Sequence, residues 1–173
     1  LFGVDKKYRF LPIYSVSGLY RISNEPFFKP ATGWMDNLSL RLSYGLQGNI
    51  DKNTSPYLIG TYGTQTILPN NTENSISISS APNDKLRWEK TASYNIGVDF
   101  SVLKSAINLS VDYYYRKGTD LIGVKNLPLE NGFNGMTINW ASMENKGIEV
   151  NLQTRNITTR NFSWYTTFNF AYN

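Results

Sequence analysis

The chain has 173 residues, no Cys, no His, and a net charge of +4 scattered along its length. This composition excludes cysteine-ligated zinc, thiol nucleophiles and every His-based triad, and no Lys/Arg run is suited to nucleic acid. No apolar stretch approaches the ~18 residues of a membrane-spanning helix, a test that says nothing of barrel strands, which are only half apolar.

The length suffices for one ordinary domain. The chain opens at Leu1 with no charged-then-apolar leader, so we expect either a processed chain or a piece of a longer one. Aromatic residues make up 14%, with twelve Tyr, a residue whose apolar ring and wet tip suit interfaces. Asn-x-Ser/Thr triplets start at Asn37, Asn53, Asn70, Asn108, Asn156 and Asn161. In so Asn- and Thr-rich a chain they are expected by chance.

Period-two alternation predicts a series of strands. "YSVSGLYRI" sets Tyr14, Val16, Gly18, Tyr20 and Ile22 against Ser15, Ser17, Leu19 and Arg21. A link with two prolines, "SNEPFFKPATGWMDN", leads to "LSLRLSYGLQ". There Leu38, Leu40, Leu42, Tyr44 and Leu46 oppose Ser39, Arg41, Ser43, Gly45 and Gln47. A long polar, Gly/Pro/Asn-rich stretch follows, from Gln47 to Lys90. "TASYNIGVDF" then sets Ala92, Tyr94, Ile96, Val98 and Phe100 against Thr91, Ser93, Asn95, Gly97 and Asp99.

A turn over Val102–Ser105 would pair this strand with "INLSVDYYYR", Phe100 meeting Ile107 and Val98 meeting Leu109. That register keeps every apolar residue on one face. A second long stretch runs from Lys117 to Asn145. "GIEVNLQTR" and "FSWYTTFNFAY" close the series, with Ile148, Val150 and Leu152 on the apolar face of one and Phe162, Trp164, Phe168, Phe170 and Tyr172 on that of the other. No segment shows sustained helical periodicity.

Short and long connections therefore alternate, which gathers the long ones at one end of an up-and-down sheet. The alternating stretches run to about ten residues, enough at a ~40° tilt to cross the ~25 Å apolar band of an outer membrane. Tyr94, Tyr113, Tyr115, Phe170 and Tyr172 stand where an aromatic girdle would. Arg41, Asp99, Asp112, Glu149 and Arg155 lie on the polar face, costly in a dry core without partners but ordinary in a watery lumen. The expected fold is all-β: six strands of an antiparallel, up-and-down transmembrane β-barrel with leucines toward lipid. A soluble sheet with an apolar interior remains the alternative. Barrels of this kind start at eight strands and an open sheet leaves bare edges, so the barrel reading makes the chain a segment of a larger wall.

Three landmarks carry a family resemblance. "LRLSYGLQGN" resembles the LR-SYG-TGN signature of SusC/RagA-type TonB-dependent outer-membrane transporters. "LRWEKTASYNIGVDFSVLKSAINLSVDYYYRKGTDLI" resembles their W-E-T…N-G-D-F…D-Y-Y run, its fixed points falling on Trp88, Glu89, Thr91, Asn95, Gly97, Asp99, Phe100, Asp112, Tyr113 and Tyr114. "NWASMENKGIEVNLQTRNITTRNFSWYTTFNFAYN" resembles the N-G-E-NKGIE…F-W-FN-A-N segment that follows. "FLPIYSVSGLYRISNEPFF" is similar to an F-P-S-S-GW-IS-EPF pattern, with Ile13 and Tyr14 intruding and Tyr20 where Trp is usual. The resemblance implies the later part of a barrel of roughly twenty-two strands, so that residues 1–173 form part of one TonB-dependent receptor β-barrel domain in the outer membrane of a Gram-negative bacterium. It further implies import of oligosaccharides or peptides, a SusD-like lipoprotein lid, and a plug and TonB contact upstream of Leu1. It implies no cofactor.

Catalysis would need paired carboxylates, and in the expected register Asp99 faces Asn108 while Asp112 faces Asn95, so no enzyme is expected. The acid-containing loops leave calcium open, but no EF-hand-like pattern appears and no metal site is expected. Candidate ligand contacts are loop aromatics. Trp88 with Glu89 touches substrate, or Trp88 braces the base of its loop. Phe133 and Trp140, beside Asn131-Gly132 and Asn134-Gly135, either stack on sugars or a lid protein or tuck into neighbouring loops, and the same choice holds for Tyr57 and Tyr62. A passive porin-like channel and a soluble or surface-anchored β-rich binding protein are the competing functions.

Overall fold

The computed structural model describes residues 3–28 and 33–173. It contains β1 (Tyr14–Arg21), β2 (Met35–Asn49), β3 (Ile59–Leu68), β4 (Asn71–Ser80), β5 (Glu89–Val102), β6 (Ile107–Asn126), β7 (Gly135–Thr158) and β8 (Ser163–Tyr172). Helical structure among the described residues is confined to short 3-10 turns such as Lys6–Tyr8 and Leu129–Asn131. A six-stranded sheet runs β1-β2-β5-β6-β7-β8, and β3-β4 form a separate two-stranded ribbon. Chain order is kept across the larger sheet, as an up-and-down meander requires.

Two compact units are present. The first comprises Ile13–Leu46, Ala92–Lys117 and Glu144–Asn173, and the second Leu1–Pro12, Gln47–Thr91 and Gly118–Met143. The first is the wall. In it Val16 pairs with Tyr44, Gly18 with Leu42 and Tyr20 with Leu40, while Val150 pairs with Phe170 and Leu152 with Phe168. Apolar therefore meets apolar on one face, and serine, asparagine and charge occupy the other.

Among the described residues nothing covers that apolar face. Val16, Leu42, Val98, Phe168 and Phe170 are all exposed, and among the described residues of the wall Val102 is the buried apolar one. A soluble domain needs a second layer over such a surface, whereas a lipid-facing wall does not. A row of tyrosines crosses β1, β2, β5 and β6 on this face, with ring centroids at 5.9 Å for Tyr14–Tyr44, 4.8 Å for Tyr44–Tyr94 and 6.1 Å for Tyr94–Tyr115. Toward the other end of the strands, Trp34 meets Phe100 edge-on at 6.1 Å. Roughly 20 Å of strand separates Tyr94 from Phe100, so aromatics bracket an apolar band.

Two expectations change. The turn between β5 and β6 is Leu103–Ala106, one residue later than the alternation suggested. Asp99 consequently contacts Ser110, and Ser101 contacts Asn108. A slide by two residues keeps both faces intact, which is why the pattern did not reveal it. Leu103, Lys104 and Ser105 all take positive φ (57°, 55° and 58°), held by bonds from the Ser105 N–H to Asp36 Oδ2 (2.9 Å) and from Arg155 Nη2 to the Lys104 carbonyl (2.9 Å). The long connections are also less loop-like than expected. The first contains the β3–β4 ribbon, and the second is largely continued strand, leaving only residues 127–134 between β6 and β7.

In the second unit Val4, Ala81 and Leu86 are buried. The ribbon is amphipathic: Tyr62 pairs with Ile76 and Gly60 with Ile78, while Thr61–Ser77, Gly63–Ser75 and Gln65–Glu73 line the other face.

Candidate functional site

The polar face of the wall is organised around Arg41. Its Nε donates to Asp99 Oδ2 at 2.7 Å and its Nη2 to Asp99 Oδ1 at 3.0 Å, a forked pair. The same Nη2 donates to Asp112 Oδ2 at 3.0 Å and to Ser110 Oγ at 3.1 Å. Ser110 Oγ returns a bond to Asp99 Oδ1 at 2.9 Å. Three strands are thus clamped on one guanidinium, β2 supplying the cation, β5 and β6 the anions.

Gly97 makes this possible. A Cβ there would lie 2.4 Å from Asp112 Oδ1 and 2.8 Å from Arg41 Nη2. The guanidinium crosses β5 over bare backbone to reach β6. Asn95 extends the network, its Nδ2 donating to Ser43 Oγ at 3.1 Å. Residues from all of "LRLSYG", "NIGVDF" and "VDYYY" therefore meet in one place. The Arg41 side chain is 40% exposed and each aspartate 33%, so these ions remain in contact with water, as a lumen wall allows and a dry core would not. A polar recess beside them is lined by Asn145, Glu149, Tyr114 and Arg116, with the Arg116 guanidinium 5.6 Å from the Tyr114 ring centre. Both carboxylates are spent on one cation, which makes the cluster a clamp rather than an acid–base pair.

The second unit has its own polar hub. Arg87 Nη2 lies 2.6 Å from Asp120 Oδ1, and Lys90 Nζ lies 3.2 Å from Asp120 Oδ2. The Arg87 hydrogen bond, helped by Lys90, holds the Asp120 carboxyl below the usual carboxylate range although burial opposes it. Asn139 accepts from the Arg87 N–H at 2.9 Å and donates to the Arg87 and Asp120 carbonyls, each at 2.7 Å. Glu89 accepts from Asn49 Nδ2 at 2.7 Å through one oxygen and from the Ile122 N–H at 2.8 Å through the other. Asp120 has φ +58°, and this break in regular strand geometry is where the hub gathers.

All five candidate aromatics fall in this unit, and the ring–ring contacts among the described residues involve none of them. Trp88 donates its indole N–H to the Arg9 carbonyl at 3.2 Å. Phe133 is half-buried. Trp140 is 64% exposed and its Nε1 sits over Gly123, 2.8 Å from where a Cβ would be. Tyr62 is 87% exposed on the ribbon, and Tyr57 is also exposed. The structure does not bring the five together. Of the clamp and the hub only Glu89 was among the candidate contacts, although most of their residues are fixed points of the landmarks.

A family model described as "TonB dependent receptor-like, beta-barrel" matches residues 6–173. The chain belongs to this β-barrel family. It is 36% identical over 154 residues to TonB-dependent receptor P39 of Formosa agariphila, covering 89% of this chain and 14% of that protein. It is 32% identical over 178 residues to TonB-dependent receptor SusC of Bacteroides thetaiotaomicron, covering 99% and 17%. Among solved structures it is similar to the RagAB peptide importer in the "open-open" state, with TM-score 0.82 and 28% identity over 98% of this chain and 18% of that one. The SusC/RagA resemblance of the sequence is thus shown, and the chain spans less than one fifth of each of these relatives.

Proposed function

We propose that the chain forms part of the wall of an outer-membrane, TonB-dependent importer of oligosaccharides or peptides, working with a SusD-like lipoprotein lid. The observation that carries this is the two-sidedness of the wall. An uncovered apolar face bracketed by aromatics backs onto a water-exposed face tied together by Arg41, Asp99 and Asp112. Lipid on one side and a watery lumen on the other satisfy both. The likeness to SusC and to the RagAB peptide importer supports the transport class and the partner. A very large lumen leaks unless plugged, so a plug outside these residues, moved by work from the inner membrane, belongs to the reading. The exposed Tyr57, Tyr62 and Trp140 are available to substrate or lid, whereas the Trp88 N–H is committed to Arg9.

The test uses the full-length protein in its own cells. Uptake of an oligosaccharide or peptide pool should stop when TonB is removed, and a lipoprotein should co-purify in amounts matching the barrel. Uptake continuing at full rate without TonB would replace this reading with a passive channel.

A further inference from the structure

The outward face of the wall changes character just past the tyrosine row. Along β1 and β8, over Ala92–Phe100 of β5 and over Leu38–Leu46 of β2, the positions on that face carry no charged residue. On β6 and β7 the same face carries Lys117, two residues beyond Tyr115, and Glu144 and Lys146, just before Ile148. Lys117 Nζ lies 2.8 Å from Glu144 Oε1. Two ammonium groups thus stand beside one carboxylate, leaving a net positive rim, and Lys146 makes no ion pair among the described residues.

We propose that Lys117 and Lys146 bind the phosphate of an anionic glycolipid headgroup in the leaflet that meets this rim. Tyrosine rings settle at headgroup level, and lysine stems lie along apolar surface while their ammonium groups reach the polar layer. A phosphate is the anion found at that depth, and its oxygens accept from both ammonium groups. Glu144 holds Lys117 in place and caps the attraction by cancelling one charge. The site continues the lipid-facing surface and matches a headgroup in sign, which favours lipid over a soluble partner. This inference rests on the membrane-wall reading, not on TonB dependence.

The probe is lipid A bearing both phosphates, compared with lipid A stripped of them, retained by the full-length protein in detergent and read by native mass spectrometry. K146Q should lower retention of the phosphorylated form about fivefold, the effect of one lysine at a charged surface. K117Q/K146Q should abolish the preference over the stripped form, and E144Q should raise it. Heat-modifiable gel mobility verifies that each variant is folded. An unchanged preference in the double variant, a fall in E144Q, or displacement by inorganic phosphate at matched concentration would overturn the proposal. TonB-independent uptake would sink the importer while leaving these lipid results untouched.

Discussion

Arg41 reaches Asp112 only because position 97 has no side chain. Gly97→Ala puts a methyl 2.4 Å from Asp112 Oδ1, and since flexible side-chain ends must give way, the strands should survive while the clamp loosens. A double-mutant cycle of Arg41→Met with Asp99→Asn should return a coupling of roughly 0.5–1 kcal/mol, the size expected of ions still partly in water. Urea unfolding from vesicles measures it, and a coupling of zero would mean the clamp is decorative. Asp120 gives a pH signature. Its carboxyl is lowered first by the Arg87 hydrogen bond, so its stabilisation is complete above the unfolded value of ~4. That stabilisation is lost as pH falls through the lower folded value. At neutral pH, Asp120→Asn should loosen residues 118–143 by about 1 kcal/mol, seen as faster amide exchange, and the difference from wild type should vanish in acid. A difference independent of pH would contradict the ion-pair account.

Among the elements, the six wall strands were legible because one buried-or-lipid face and one wet face force strict alternation. The β3–β4 ribbon was not, since "GTYGTQTIL" and "TENSISIS" are dominated by the Gly, Thr, Asn and Ser that also make loops. The far part of β6 escaped because Asp120 breaks the period with its positive φ. The β5–β6 turn was misplaced by one residue because Leu103, Lys104 and Ser105 adopt a left-handed conformation with none of the Gly or Asn that advertise it. Of the clamp, the residues could be read as landmarks, but not their convergence, which depends on Gly97 clearing a path across a strand. Face assignment has a direct consequence. Arg at Leu42, Val98, Leu109 or Val150 should cost about 2–4 kcal/mol near the midplane, whereas Gln153→Arg on the polar face should cost less than about 0.5 kcal/mol. Equal damage at both sets in a folding assay would count against a lipid-facing wall.

For the whole molecule, the up-and-down order fixes sidedness: connections β2–β5 and β6–β7 share one end, and the turns β5–β6 and β7–β8 share the other. On intact cells making the full-length protein, cysteines at Asn71 and Asn131 should react with an impermeant thiol reagent, and one at Lys104 should not. The reverse pattern would invert the topology. The central claim is narrower still: adjacent residues of one strand face lipid and water. Val150 pairs with Phe170 and Asn151 with Asn169, so cysteines at these neighbouring positions decide it in the folded, membrane-inserted protein. The account predicts that Asn151→Cys reacts with a water-soluble maleimide while Val150→Cys resists it and yields only to a lipid-soluble one. Ready water-soluble labelling of Val150→Cys, with Asn151→Cys protected, would contradict it.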